Sequence, residues 1–105
     1  MQIIFNKEIA EQMKDTHTVL ELETFDVEGQ TLYTFCVVPA DKIPLAEFPQ
    51  LPVYKELHGA FVAAVKNKDR KLCTDLAEHL TGKFGGEVDT FYEEILKRFA
   101  LEQEI

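Results

Sequence analysis

Two stretches decide the fold: Thr18-Val19-Leu20-Glu21-Leu22-Glu23-Thr24-Phe25 and Thr31-Leu32-Tyr33-Thr34-Phe35-Cys36-Val37-Val38. Both alternate, and both are rich in β-branched and aromatic residues, the pattern of half-buried strands. Asp26-Val27-Glu28-Gly29-Gln30 lies between them and holds one glycine, so a hairpin is the natural connection. Two registers are open. A two-residue turn at Glu28-Gly29 pairs Val27 with Gln30 and Leu22 with Phe35. It gathers Leu20, Leu22, Tyr33, Phe35 and Val37 on one face and Glu21, Glu23, Thr34 and Cys36 on the other. A three-residue loop with Gly29 in a left-handed bulge pairs Asp26 with Gln30 and mixes glutamates with aromatics. A one-residue slip carries a whole set of side chains to the wrong face, so the first register is expected.

On the N-terminal side, residues 2–5 form a short apolar run suited to an edge strand. Asn6 is a fair N-cap for a two-turn helix from Lys7 to Lys14, with Ile9, Ala10 and Met13 on one side. On the C-terminal side, Pro39 ends the second strand because it has no N–H to give to a ladder. All four prolines fall between residues 39 and 52, interleaved with Ile43, Leu45, Phe48 and Leu51. That segment is too apolar for a solvated tether and reads as an ordered connector.

From Val53 the pattern turns helical, with Leu57, Phe61, Ala64 and Val65 in one stripe. An unbroken helix would drop Lys68 into that stripe, so a break is expected near residues 67–69, with Asp69 capping the next helix. That helix, Arg70 to Thr81, carries Leu72, Cys73, Leu76, Ala77 and Leu80 on one face and closes at Gly82. Residues 83–86 read as a loop. The last helix, Glu87 to Leu101, places Val88, Phe91, Tyr92, Ile95 and Phe99 at 3–4 spacing, and residues 102–105 are expected to fray. The expected fold class is α+β. An antiparallel hairpin, with the short N-terminal edge strand, packs against about three C-terminal helices plus one short N-terminal helix, as one domain over 1–105.

At 105 residues with 46% hydrophobic side chains, the chain can bury a core; its net charge of −8 disfavours a phosphate-tracking nucleic-acid binder or a polybasic membrane-surface protein. The N-terminal apolar run is too short for a signal peptide, and no stretch approaches a membrane span. Cys36 and Cys73 read as two reduced, buried thiols rather than a disulfide, which points to the cytoplasm.

Catalytic constellations are scarce. The glycines form no phosphate loop and no dinucleotide fingerprint. There is no serine, and neither cysteine sits in a setting that activates a thiol. No metal-ligand spacing appears, and no cofactor is expected. Asp75 and His79 stand four apart on one helix. They form either a surface pair or a carboxylate-oriented imidazole acting as base or metal ligand. His58 precedes Gly59, which is expected to pack a helix.

Charge is more informative. Residues 1–52 hold nine acids against three bases, and from Asp15 to Glu28 there are five acids and no base. Glu21 and Glu23 on the outer hairpin face, with Asp26 and Glu28 at the tip, would make an acidic docking surface. Leu45, Phe48, Leu51 and Tyr54 would either cover the core or form an apolar patch. The expected function is therefore a small, acidic, non-catalytic protein that binds another protein through the acidic hairpin face, the apolar Pro-rich connector or both. A second copy of the chain is a further candidate partner. Two different functions compete with this one: a small-molecule or metal-binding protein or enzyme using Asp75 and His79, and an acidic mimic of DNA that inhibits a nucleic-acid-binding protein.

Overall fold

A computed structural model describes residues 1–103. The elements follow the expected order: β1 Gln2–Ile4, α1 Lys7–Met13, β2 His17–Val27, β3 Gln30–Pro39, α2 Leu51–Lys66, α3 Arg70–Leu80 and α4 Asp89–Gln103. The strands form one antiparallel sheet in the order β1-β3-β2, giving the expected α+β class with its N-terminal edge strand. Among the described residues, no helix is long and apolar enough to cross a membrane. Glu102 and Gln103, expected to fray, belong to α4 instead, where Glu102 accepts from Arg70 at 3.4 Å; the same expectation for residues 104–105 lies outside the described residues.

Local signals account for the boundaries. The Asn6 side chain accepts from the amides of Glu8 (2.9 Å) and Ile9 (3.1 Å), satisfying two otherwise unpaired donors of α1. Asp69 does the same for Leu72 (3.2 Å) at the start of α3, so the break near 67–69 falls where expected. Pro52 stands in the first turn of α2, where a missing N–H costs nothing. The other three prolines meet two 3-10 turns: Pro39 and Pro44 stand just before Ala40–Lys42 and Leu45–Gln50, and Pro49 lies inside the second.

The hairpin turn is the expected one, but the strand faces are not. Val27 pairs with Gln30, and Glu28 and Gly29 both take positive φ (51° and 81°), the geometry that matches strand twist in a two-residue turn. Four pairs later the register shifts. Thr24 opposes Tyr33, whereas Glu21 opposes Phe35, so Leu22 and Glu23 together face Thr34. This is a β-bulge, and it reverses the side-chain parity of everything before it. Leu20, Leu22, Thr34, Cys36 and Val38 are buried, and all but Thr34 belong to the apolar core beneath α2–α4. Tyr33, Phe35 and Val37 share the opposite face with Val19 and Glu21.

The expected grouping of Leu20 and Leu22 with the aromatics therefore fails. The reason is that both faces are covered. α1 folds across the second face, where Ala10 and Val37 are each only 2% exposed and Lys7 Nζ stands 4.8 Å from the Tyr33 ring centre. The bulge itself is held by the Thr34 hydroxyl, which donates to the Glu23 carbonyl at 2.6 Å. Replacing Thr34 by the isosteric valine strands that carbonyl, and chemical denaturation is expected to show a loss of about 1–2 kcal/mol.

The helix-side core runs from Leu20 and Val38 through Phe61, Cys73, Leu80, Phe84 and Val88 to Ile95 and Phe99. Aromatic rings pack edge to face at its centre, with Phe61 5.0 Å from Tyr92 and 5.7 Å from Phe91. Gly59 does not pack a helix as expected: it is exposed, and a Cβ there would meet nothing within 4 Å. Its neighbour His58 is the buried residue, at 2% exposure.

Candidate functional site

β2 and β3 outrun the rest of the fold. β1 reaches only to Ile4, opposite Phe35, so among the described residues the outer end of the hairpin has no third strand beside it. On the helix-facing side of this overhang, strand parity places Phe25, Val27 and Leu32 in line with Thr34 and Cys36. These three are 45%, 51% and 38% exposed. Ile3, opposite Cys36, and Phe5 extend the same face and are 40% and 60% exposed. Single exposed apolar side chains are ordinary, whereas five on one continuous face are not.

The overhang meets the flank of α4 in an inside corner. A cleft of 220 Å³ lies there, lined by Met1, Ile3, Phe5, Leu22, Phe25 and Phe91, with Glu23, Thr34, Glu94 and Arg98 completing the wall. A second hollow of 290 Å³ opens at the hairpin tip between Val27, Glu28, Gln30, Thr31 and Leu32. A third, of 160 Å³, lies on the other side of the bulge between Glu23, Thr24, Val62, Val65, Lys66 and Phe91. Each is smaller than the roughly 300–1,000 Å³ of a pocket that engulfs a small molecule. They suit single side chains of a partner better than a metabolite.

The expected acidic face is rearranged. Glu21 keeps the outer parity, but its carboxylate lies 3.5 Å from Lys66 at the end of α2. The bulge turns Glu23 to the helix side, where it accepts from Arg98 of α4 at 2.7 Å and raises the guanidinium further above its ordinary value. Glu21 and Glu23 thus do not stand together on one face, and each has a basic neighbour. Asp26 accepts from Thr31 at 3.4 Å and Glu28 is exposed in the turn, so these two remain acids of the tip. The connector also divides. Leu51 and Tyr54 pack partly against the core, whereas Leu45 is 84% and Phe48 38% exposed.

Asp75 turns towards Lys71 (3.6 Å) instead of His79, and both residues are exposed. Among the described residues, no group of three or more His, Cys, Asp or Glu is placed to hold a metal ion. Cys36 and Cys73 are free and fully buried. Burial pushes the Cys36 thiol up to about 11 and raises Cys73 as well, the opposite of activation.

Sequence reasoning missed the role of His58. Its Nε2 lies 2.6 Å from the Glu21 carbonyl oxygen, which only accepts, so Nε2 carries the proton and donates. Nδ1 is then bare in the neutral ring and accepts from the Tyr92 hydroxyl at 2.8 Å. Burial lowers the affinity of the ring for a second proton, against the pull of the Glu21 carbonyl and carboxylate. Burial likewise pushes the Tyr92 hydroxyl up. His58 is a clip that fixes the outer edge of β2, just before the bulge, to α2 and α4. The only sequence signal was a histidine beside the Leu57/Phe61 stripe. Compared with protein-family models, curated proteins and solved structures, the chain matches none of them.

Proposed function

We propose that this chain is a one-domain, non-catalytic, cytoplasmic protein that works by binding another protein, and that it docks through the apolar overhang of the hairpin. The observation that carries this reading is the exposed run of Ile3, Phe5, Phe25, Val27 and Leu32 on one face, beside hollows sized for side chains. Two buried free thiols support the cytoplasmic assignment. A catalytic role draws little support from Asp75 and His79, which do not pair. DNA mimicry needs a run of free carboxylates, and Glu21 and Glu23 are each engaged with a base.

Glu28 in the turn flanks this surface and Asp26 stands on the opposite face of the same tip; expected as part of the docking surface itself, they add negative charge that would steer a basic partner towards the overhang. A second reading rests on Leu45, whose 84% exposure makes the connector a rival docking point. The two are separated by affinity capture from the source cell with immobilised wild type, a Phe25→Glu/Leu32→Glu variant and a Leu45→Glu variant. The overhang reading expects the first variant to lose a specifically captured protein and the second to retain it, with both melting as wild type does. The reverse pattern moves the site to the connector. Equal capture by all three defeats both.

A further inference from the structure

We infer that the occupant of the overhang is a basic amphipathic helix of the partner protein; this rests on the docking reading above and names the partner's chemistry. Three observations carry it.

The first is the shape of the uncovered face. On this side of the sheet the cover is helical apart from Ile43 of the connector and Phe84 of the loop after α3, and the overhang is the part of that layer left bare. Neighbouring strands stand about 4.8 Å apart, so the face from the line of β1 across β3 to β2 is about 10 Å wide, close to the diameter of one helix with its side chains. Adding a strand beside β3 would gain little, because β3 runs only from Gln30 to Thr34 beyond the end of β1.

The second is the wall. Phe91, Glu94 and Arg98 are spaced three and four residues apart on α4, so they form one stripe along its flank, and all three line the cleft. A helix laid beside α4, about 8–10 Å from it, meets that stripe along its length. Apolar side chains at i, i+3, i+4 and i+7 of such a helix face Phe5, Phe25, Leu32 and Phe91.

The third is charge. Among the described residues, Arg98 is the one basic side chain in the lining of the cleft, and it is held by Glu23 at 2.7 Å. Glu94 stands in the same lining, while Asp26 and Glu28 project at the tip. Met1 also lines the cleft, its ammonium 3.9 Å from Glu87, and Asp26 alternates to the opposite face of the hairpin, so Glu94 and Glu28 are what make the polar margin of the face anionic. A second copy of a chain of net charge −8 would bring acids against acids, whereas lysine or arginine on the visitor's polar flank complements them.

The test uses the full chain and three labelled synthetic peptides of about 18 residues, long enough for helix to form on binding. One has a Leu/Phe stripe and lysines elsewhere, the second the same stripe with glutamates, and the third the lysine composition scrambled to destroy the stripe. Fluorescence anisotropy is expected to show the striped lysine peptide binding at least about tenfold more tightly than either other peptide. Phe25→Glu, which adds an acid while removing an apolar anchor, is expected to weaken that binding about tenfold or more. Leu32→Glu serves as the second variant should Phe25→Glu fail to fold. Glu94→Lys is expected to reverse the preference between lysine and glutamate peptides.

If the glutamate peptide binds better, and Phe25→Glu abolishes its binding, the charge assignment is overturned while the docking surface stands. If the scrambled lysine peptide binds equally well, or Phe25→Glu binds lysine peptides more tightly, only diffuse attraction is present, and both inference and docking surface fall. A dimer by light scattering that Phe25→Glu dissociates would make a second copy the occupant and overturn the inference.

Discussion

Gly85→Ala is expected to destabilise the protein by about 2–5 kcal/mol, a large share of what a chain of this size has. Two effects combine. Gly85 holds φ at +66°, where an alanine costs about 1–2 kcal/mol. Its Cβ would also land on the backbone carbonyl oxygen of Lys42, an atom of a 3-10 turn that has no flexible side chain to move aside. Overpacking of that kind costs about 1–3 kcal/mol.

The loop is pressed against the connector because of Phe84. Its ring is fully buried between Tyr54 and His58, with centroids 6.5 and 6.2 Å away, and its amide donates to Glu47 at 3.2 Å. Phe84 itself takes φ of +55°, a strain that burial of the ring offsets. Gly86→Ala is the control. It has a similar φ of +75°, but its Cβ would meet only Asp89 Oδ2 at 3.6 Å, so about 1–2 kcal/mol is expected. Urea denaturation of the two variants separates backbone conformation from collision. Equal losses would refute the close approach to Lys42.

His58→Leu is expected to cost about 2–4 kcal/mol at neutral pH, because it leaves the Glu21 carbonyl and the Tyr92 hydroxyl without their buried partner. The same residue makes stability depend on pH. In the folded chain the ring resists protonation, while the unfolded chain protonates it near the ordinary value of 6.5. Below that value the unfolded state binds the extra proton, so His58's contribution is fully present above about pH 6.5 and is lost as pH falls towards the lowered folded value.

The difference between wild type and His58→Leu in urea midpoint should therefore shrink steadily from pH 7 to pH 5. A constant difference would mean that the ring titrates alike in both states. The overhang lies just beyond this clip, so acidification is expected to loosen the β2 edge that presents Glu23 and Phe25.

The helices are legible in the sequence because their signals are local. Asn6 and Asp69 cap where a short acceptor precedes a periodic run, the break at 67–69 follows from where Lys68 would otherwise fall, and α4 with its leading turn buries all five apolar residues of the expected stripe. The turn at Glu28-Gly29 is legible for the same reason. The strand faces are not. The one mark of the bulge in residues 18–38 is that the apolar positions change from even, Leu20 and Leu22, to odd, Phe25 and Val27, and a reading that assumes unbroken alternation passes over it. Alternation also implies a single covered face, and the short α1 covers the other. The docking acids are misjudged on the same ground: Glu21 and Glu23 look free when the bases that meet them are 45 and 75 residues away.

Residue order dictates which segments are helix and which are strand, where they start and stop, and the lack of any motif for nucleotide or metal chemistry. Those properties depend on backbone hydrogen bonding, side-chain period and spacing within a few residues. Packing of the whole chain is what selects the roofed hairpin face, leaves Phe25, Val27 and Leu32 uncovered, and closes His58 on Glu21 and Tyr92 from 37 and 34 residues away. Burial, desolvation and charge pairing depend on which distant surfaces meet, and that is settled only when the whole layer packs.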